Sequence, residues 1–488
     1  MDFNQITTIF SDDPEALFIL AKNMDDYSNT IINEKITAKN LAIENYKKIL
    51  SIWTKDINPK GNALINQELG ILYSGLANYL EKSKNCDLAL ECFANSHSYF
   101  TKNEFPFNFH YINYLQSIIY DAYASIINPI EFAKKSLESA RIANSFFTKT
   151  KYPYFFALTL NIVSNALLRF AEFDQAKLPY YCKEAIKNLN KSLEILNIND
   201  YPKDYSMIKN NIGSAYGYLA NYENVVENSE MSISAYFDAL IVRTKDKYPL
   251  AFATTNNNLG TTYDFLAQYY EEKMNFDKSF ECFEKAIQSY NEALIIRTQK
   301  ALPILYASTK LNLHLSYLHY SFTIFRRIFR DRTYLLEYRK KSNNIGLDYL
   351  NLAIEGLNDV LDIYDIDNYP YQYSLVHTNL GNAYSALSEQ LKDPVKNCRK
   401  SINSYNEALK IRTINNYPCE YGEIQINLGI AFLVSARFSN HIGNCNKAFE
   451  SLNKALKVFN PKKFPRQYSF VLEKIEEVRE FCQKYMVF

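Results

Sequence analysis

Six histidines and eight cysteines are the residues best equipped for acid–base, nucleophilic or metal chemistry in this chain, and their spacing supports none of it. The cysteines stand at 86, 92, 182, 282, 398, 419, 445 and 482, with no Cys-x-x-Cys pair among them. Several fall inside helical patterns as small apolar residues, so free thiols in a reducing, cytosolic setting are expected. His314 and His319 are five apart, a poor pair for one metal ion on a helix. There is no phosphate-cradling glycine loop, no dinucleotide fingerprint, no His-Glu-x-x-His and no Gly-x-Ser-x-Gly. No catalytic residue, metal or cofactor is therefore expected, and the chain does not look like an enzyme.

Two polar groupings remain. Asn211, Asn258, Asn312, Asn379 and Asn427 each lie nine residues after a proline, and Asn210 and Asn257 thicken the series in the middle of the chain. Asparagine inside a helix costs several tenths of a kcal/mol against alanine, about 0.5, so its return at one place needs a reason. A carboxamide donates and accepts together, which suits the backbone of an extended peptide; the alternative is bonding to neighbouring helices. The flanking positions, five and eight after the proline, hold Met207 and Asn210, Thr254 and Asn257, Ser308 and Leu311, Leu375 and Thr378. Without Lys or Arg there, a grip on a C-terminal carboxylate is not expected. The second grouping is basic: Arg326, Arg327, Arg330, Arg332, Arg339, Lys340 and Lys341 against Asp331 and Glu337, with Phe322, Phe325 and Phe329 beside them. It could hold an acidic partner, RNA or a membrane surface, or be a solvated helix pair with its aromatics inward.

The elements that must position these groups are marked by prolines at 59, 106, 153, 202, 249, 303, 370, 418 and 465, mostly 47 to 49 residues apart. A proline suits the first turn of a helix, where its missing N–H has no partner to lose. Each is followed by an apolar pattern at helical spacing, helix A. A second, helix B, is clear in Ala286, Tyr290, Ala293 and Leu294 and recurs as Ser232, Tyr236, Ala239, Leu240 and as Ser401, Tyr405, Ala408, Leu409. Arg-Thr then leads to the next unit at Arg243, Arg297 and Arg412. Eleven residues after the proline stands Gly70, Gly213, Gly260, Gly381 or Gly429. Eighteen after it the residue is Ala or Ser at 77, 124, 171, 220, 267, 321, 388 and 436. Small residues let helix backbones approach, and a larger one there would overpack at a cost of about 1–3 kcal/mol. One hairpin cannot bury both its faces, so such units stack in a row.

Leu-Gly-x-x-Tyr in helix A, Ala/Ser-x-x-x-Tyr-x-x-Ala in helix B and a closing proline resemble the tetratricopeptide repeat, here lengthened from its usual ~34 residues. The Asn-Asn-Leu-Gly and Ala-Leu-x-Ile-Arg stretches are similar to the long repeats of kinesin light chains and of arrays attached to CHAT proteases. The resemblance implies an all-α, right-handed solenoid of about eight hairpins. It places an N-terminal helical cap at 1–58, the array at 59–464 (units starting near 59, 106, 153, 202, 249, 303, 370 and 418, with an insert at about 322–345), and a capping helix at 465–488. It also implies a non-enzymatic scaffold or adaptor that holds a protein or peptide segment in its concave groove, with the asparagine series as contact residues. The alternatives are a regulatory or sensor subunit controlling an effector such as a CHAT-type protease, and nucleic-acid binding through the basic insert. Two units depart further from the pattern: that from Pro106 has Ser117 at the glycine position and Tyr114-Leu115 where the asparagine would stand, and that from Pro303 has His314 at the glycine position and about 20 extra residues.

A net charge of +1 gives no global attraction to nucleic acid or anionic lipid. No run of about 18 apolar residues is evident, so no membrane span is expected. The acidic start, with Asp12-Asp13-Pro14-Glu15 as a helix opening, is unlike a signal peptide and fits a cytoplasmic protein.

Overall fold

The computed structural model describes residues 32–124, 128–174, 176–330, 336–390 and 393–486. The expected helix opening at Asp12–Glu15 lies outside them. Among the described residues every regular element is helical: α1 Ile32–Ile52, α2 Pro59–Leu76, α3 Lys82–His97, α4 Pro106–Ala124, α5 Pro129–Phe146, α6 Pro153–Phe173, α7 Leu178–Leu193, α8 Pro202–Ala220 and α9 Val225–Val242. There follow α10 Pro249–Glu272, α11 Phe276–Ile296, α12 Pro303–Arg330, α13 Leu336–Asp359, α14 Pro370–Glu389, α15 Pro394–Leu409, α16 Pro418–Ala436, α17 His441–Leu456 and α18 Pro465–Met486. Nine of these helices begin at the marking prolines, where the pyrrolidine ring presets the first turn. The chain divides into two compact units, Met1–Leu266 and Ala267–Phe488.

Within each unit, A and B helices pack as antiparallel hairpins and each hairpin packs on the next. The small residue eighteen after the proline is buried in every unit, from Ala77 to Ala436. At the glycine position a Cβ on Gly70, Gly213 or Gly381 would run into Phe93, Tyr236 or Tyr405 of the paired helix B. A serine of helix B then ties the pair. Ser232 Oγ donates to the Gly213 carbonyl at 2.7 Å, Ser401 to Gly381 at 2.8 Å and Ser136 to Ser117 at 2.9 Å. The unit starting at Pro303 reverses this packing: its helix A carries His314, and its helix B carries Gly356, whose absent side chain leaves the space the imidazole fills. Large and small have changed sides, so the contact keeps its volume.

The turn from A to B uses a left-handed residue at Glu81, Asn128, Asn224, Met274, Asp393 and Asn440. Four of the six are Asn or Asp, the non-glycine residues that tolerate this region best.

One expectation, that all the cysteines are free, is corrected, and two other features of the helices bear on the sequence reading. Helix α6 is long and apolar enough, by composition, to cross a membrane, with a mean hydropathy of 1.3 over its best window. Most of that window is buried by neighbouring helices, which accounts for its apolar character in a helical array. Cys445 of α17 and Cys482 of α18 are not free but joined by a disulfide, because the last hairpin and the closing helix bring their Cα atoms to 6.3 Å. The remaining six cysteines are free, as expected. Finally, α12 runs to Arg330 as one helix, so the first part of the insert extends helix A.

Candidate functional site: the helix-A face

Three members of the asparagine series, Asn210, Asn211 and Asn427, are built into hydrogen bonds between neighbouring hairpins. Asn211 Nδ2 donates to Asn161 Oδ1 at 2.8 Å and to Asn165 Oδ1 at 3.0 Å on α6. Asn210 Nδ2 reaches Asn211 Oδ1 at 3.4 Å, while its own Oδ1 accepts from Thr255 Oγ1 of α10 at 2.9 Å. Thr255 in turn accepts from Arg243 Nη1 at 2.9 Å. Asp121 of α4, Asn165, Asn211 and Thr255 stand fifteen, twelve, nine and six residues after their prolines. The row therefore descends about one helical turn per hairpin, a diagonal across four A helices. The same step recurs in Ala267–Phe488, where Asn427 Nδ2 donates to Asn382 Oδ1 at 3.2 Å, nine against twelve.

The other members differ. Asn379 bonds its own helix at Leu375 O, 2.9 Å away, and Asn257 and Asn258 are half-buried on α10. Asn312 is half-buried on α12.

One end of the diagonal is a residue type the sequence reading passed over. Arg243 is 8% exposed, bonds Thr255 and Ser206 (Nε to Oγ, 3.3 Å), and has no carboxylate partner among the described residues. Burial alone pushes its pKa down to about 10. Arg297 and Arg412 repeat the position and the burial. Arg297 donates to Thr309 at 2.8 Å, and Arg412 donates to Ser374 at 3.0 Å and lies over the Tyr371 ring. The signal was present in the recurrence of Arg six residues before a proline, where the sequence marks only the lead into the next unit.

Cavities open on the same face in a repeating register. In Met1–Leu266 a cavity of about 260 Å³ is lined by Asp121, Asn165, Arg169, Glu172, Asn211 and Tyr218, with Leu168 and Ser214. In Ala267–Phe488 one of about 410 Å³ is lined by Asn382, Ser385, Ala386, Glu389, Asn427 and Ile430, walled by Phe322, Phe325 and Tyr405. Another of about 330 Å³ shares Glu389 and Ile430 and adds Lys474 and Glu477 of α18. Each uses positions from twelve to about twenty of one helix A and from nine onward of the next, and Glu172 and Glu389 occupy the same place. In the first, the charged groups are joined to one another. Arg169 Nη1 donates to Glu172 at 3.3 Å, its Nε stands 3.8 Å from Asp121 Oδ1, and the Tyr218 hydroxyl donates to Glu172. Burial raises the Asp121 carboxyl pKa, with Arg169 opposing, and burial likewise raises that of the Tyr218 hydroxyl.

The basic insert is partly neutralised. Arg326 pairs with Glu271 at 2.8 Å, Arg327 with Asp277 at 2.8 Å, and Arg330 Nη1 reaches the Met274 sulfur. Lys341 is exposed; Arg332 lies outside the described residues, as do the side chains of Arg339 and Lys340. The aromatics split: Phe322 and Phe325 pack inward, while Phe329 is 86% exposed. Among the described residues no group of three His, Cys, Asp or Glu is placed to hold a metal ion.

No family model and no curated protein matches the chain. Solved structures do. They include an IFIT1 monomeric mutant with m7Gppp-AAAA (13% identity, 97% of this chain and 95% of that one, TM-score 0.42) and the APC/C hetero-tetramer Cut9–Hcn1 (14%, 99% and 92%, 0.31). The P58(IPK) TPR domain is a third (11%, 98% and 100%, 0.24). None of these is like enough in sequence or superposition to speak for function, and the kinesin light chain likeness stays a resemblance. On its own hairpins, with proline-started A helices and glycine-to-aromatic contacts, the chain is all-α, built of stacked helical hairpins whose pattern resembles the tetratricopeptide repeat.

Proposed function

We propose that the protein is a non-enzymatic scaffold or adaptor that holds a segment of a partner protein on its helix-A face. The observation that carries this reading is the recurrence of cavities at one repeat register, two of the three lined by asparagine amides of adjacent hairpins. Helices fixed by mutual packing present these groups preorganised, so little ordering is left for binding to offset. The diagonal amides hold the hairpins in register. Direct contact with the segment falls to the residues around them, such as Arg169, Glu172, Ser214, Ser385 and Glu389. A cytoplasmic location is part of the same proposal, and it requires the Cys445–Cys482 bond to survive there or to form only on oxidation.

Filling the cavities tests the reading. Ser214 and Ser385 are half-buried at the cavity walls, so Ser214→Arg and Ser385→Arg block them from the rim. Circular dichroism establishes whether each variant is folded. Retention of a defined partner from native extract should fall about tenfold in the folded variants; retention equal to wild type would exclude the helix-A face.

A further inference from the structure

Two cavities on the helix-A face share a register but not their contents, and this inference rests on the scaffold reading just given. In the cavity between α4, α6 and α8, Glu172 stands nineteen residues after Pro153 and is taken by the chain itself. Arg169, at sixteen on the same helix, donates to it at 3.3 Å, and so does the hydroxyl of Tyr218, at sixteen on the next helix A. In the cavity walled by α12, α14 and α16, Glu389 stands nineteen residues after Pro370. Both partners have gone: Ala386 occupies the position of Arg169, and Val434 that of Tyr218. Glu389 is exposed, accepts no hydrogen bond from a described residue, and is the one charged side chain among the described residues that line this cavity. The two cations that act on it, Arg437 and Lys474, are engaged with Glu477 on the α18 side, at 3.4 and 2.8 Å.

The rest of the lining suits a guanidinium. Phe322 and Phe325 are half-buried and offer ring surface against which a flat cation stacks. Tyr405 donates to Asn382 Oδ1 at 2.8 Å, and Asn427 Nδ2 donates to the same oxygen at 3.2 Å. These bonds hold the polar wall in place and leave Asn427 Oδ1 as a second acceptor. A carboxylate would be repelled by Glu389. An apolar side chain would cover the rings but strip water from Glu389 without replacing it, which is costly for a charged group. An ammonium would pair with Glu389 but lacks the flat face and the forked N–H groups that reach two acceptors. A guanidinium cancels the charge of Glu389, and it is the group the chain itself sets beside Glu172. We propose that this cavity receives the guanidinium of an arginine in the bound segment, in the place that Arg169 fills in the other cavity. Glu389 is then the residue that sets its specificity.

The test uses the full chain and four small probes at millimolar concentration: the N-acetyl methylamides of arginine, lysine, leucine and glutamate. Saturation-transfer NMR reads their contact with the protein. The arginine probe should give about fivefold or more the signal of any other. Glu389→Gln, made on an exposed side chain, should remove that preference. Ala386→Arg, which builds the chain's own guanidinium at the position of Arg169, should remove it by occupying the cavity; if it does not fold, Glu389→Gln decides. A signal from any other probe equal to that from arginine, or an arginine preference that survives in either folded variant, would overturn the assignment. The scaffold reading keeps its own cavity-blocking test, which reads partner retention, so the two can fail separately.

Discussion

Two side chains show how this fold handles buried charge. Arg243 keeps a guanidinium inside the array by giving its N–H groups hydroxyl acceptors; no carboxylate faces it. His314 solves the same problem by staying neutral. It is 5% exposed, neither ring nitrogen has a hydrogen-bond partner among the described residues, and burial lowers its pKa from 6.5 to about 4. The sign of the consequence is definite. Between those two values the unfolded chain binds a proton that the folded chain refuses, so stability is full above pH 6.5 and falls as pH drops toward 4. From pH 7 to pH 4 the loss assigned to His314 is about 3 kcal/mol. Urea unfolding of wild type and His314→Leu at both pH values isolates it, since the carboxylates titrate alike in the two proteins. The variant should lose about 3 kcal/mol less than wild type; equal losses would show that the imidazole is protonated in the folded state.

At the scale of elements, the closing helix α18 behaves as a helix A without a helix B. It starts at Pro465 like the others and buries Val471, Val478 and Cys482 against the last hairpin. At the asparagine position it has Lys474, paired with Glu477 at 2.8 Å, and Glu477 also meets Arg437 at 3.4 Å. Ion pairs this exposed add little, in the range of about 0–1 kcal/mol. The firmer tie is the disulfide to α17, which closes a loop of 37 residues. Such a loop accounts for about 3–4 kcal/mol in the chain-entropy view. Reduction, or Cys482→Ser, should therefore raise amide exchange over Pro465–Met486 by an order of magnitude or more, about tenfold at least. Because hairpins couple chiefly to their neighbours, exchange in Met1–Leu266 should not change. Unchanged exchange in α18 would mean that packing alone holds the helix.

For the molecule as a whole, what was legible in the sequence was what repeats. The helix starts, the small residues at eighteen and the glycine contacts are each set by local helix geometry, and they recur often enough to be recognised. Pairings between residues far apart in the chain were not legible. Arg326 meets Glu271 and Arg327 meets Asp277 across about fifty residues, so a run that looks strongly basic in one dimension is half-neutralised in three. Cys445 and Cys482 looked like isolated apolar cysteines for the same reason. The asparagines were visible, but their bonding was not, since the diagonal from Asp121 to Thr255 depends on how far each hairpin is shifted against the next. What the repeats leave open is which face meets a partner, and this is the central claim. The most direct measurement places a photo-crosslinking amino acid at Ser214 or Ser385 on the helix-A cavities, and at Glu230 or Glu281 on exposed positions of helix B. After irradiation in cells, the account predicts that one partner segment is captured from the cavity positions and not from the helix-B positions. Capture from Glu230 or Glu281 with none from Ser214 or Ser385 would contradict it.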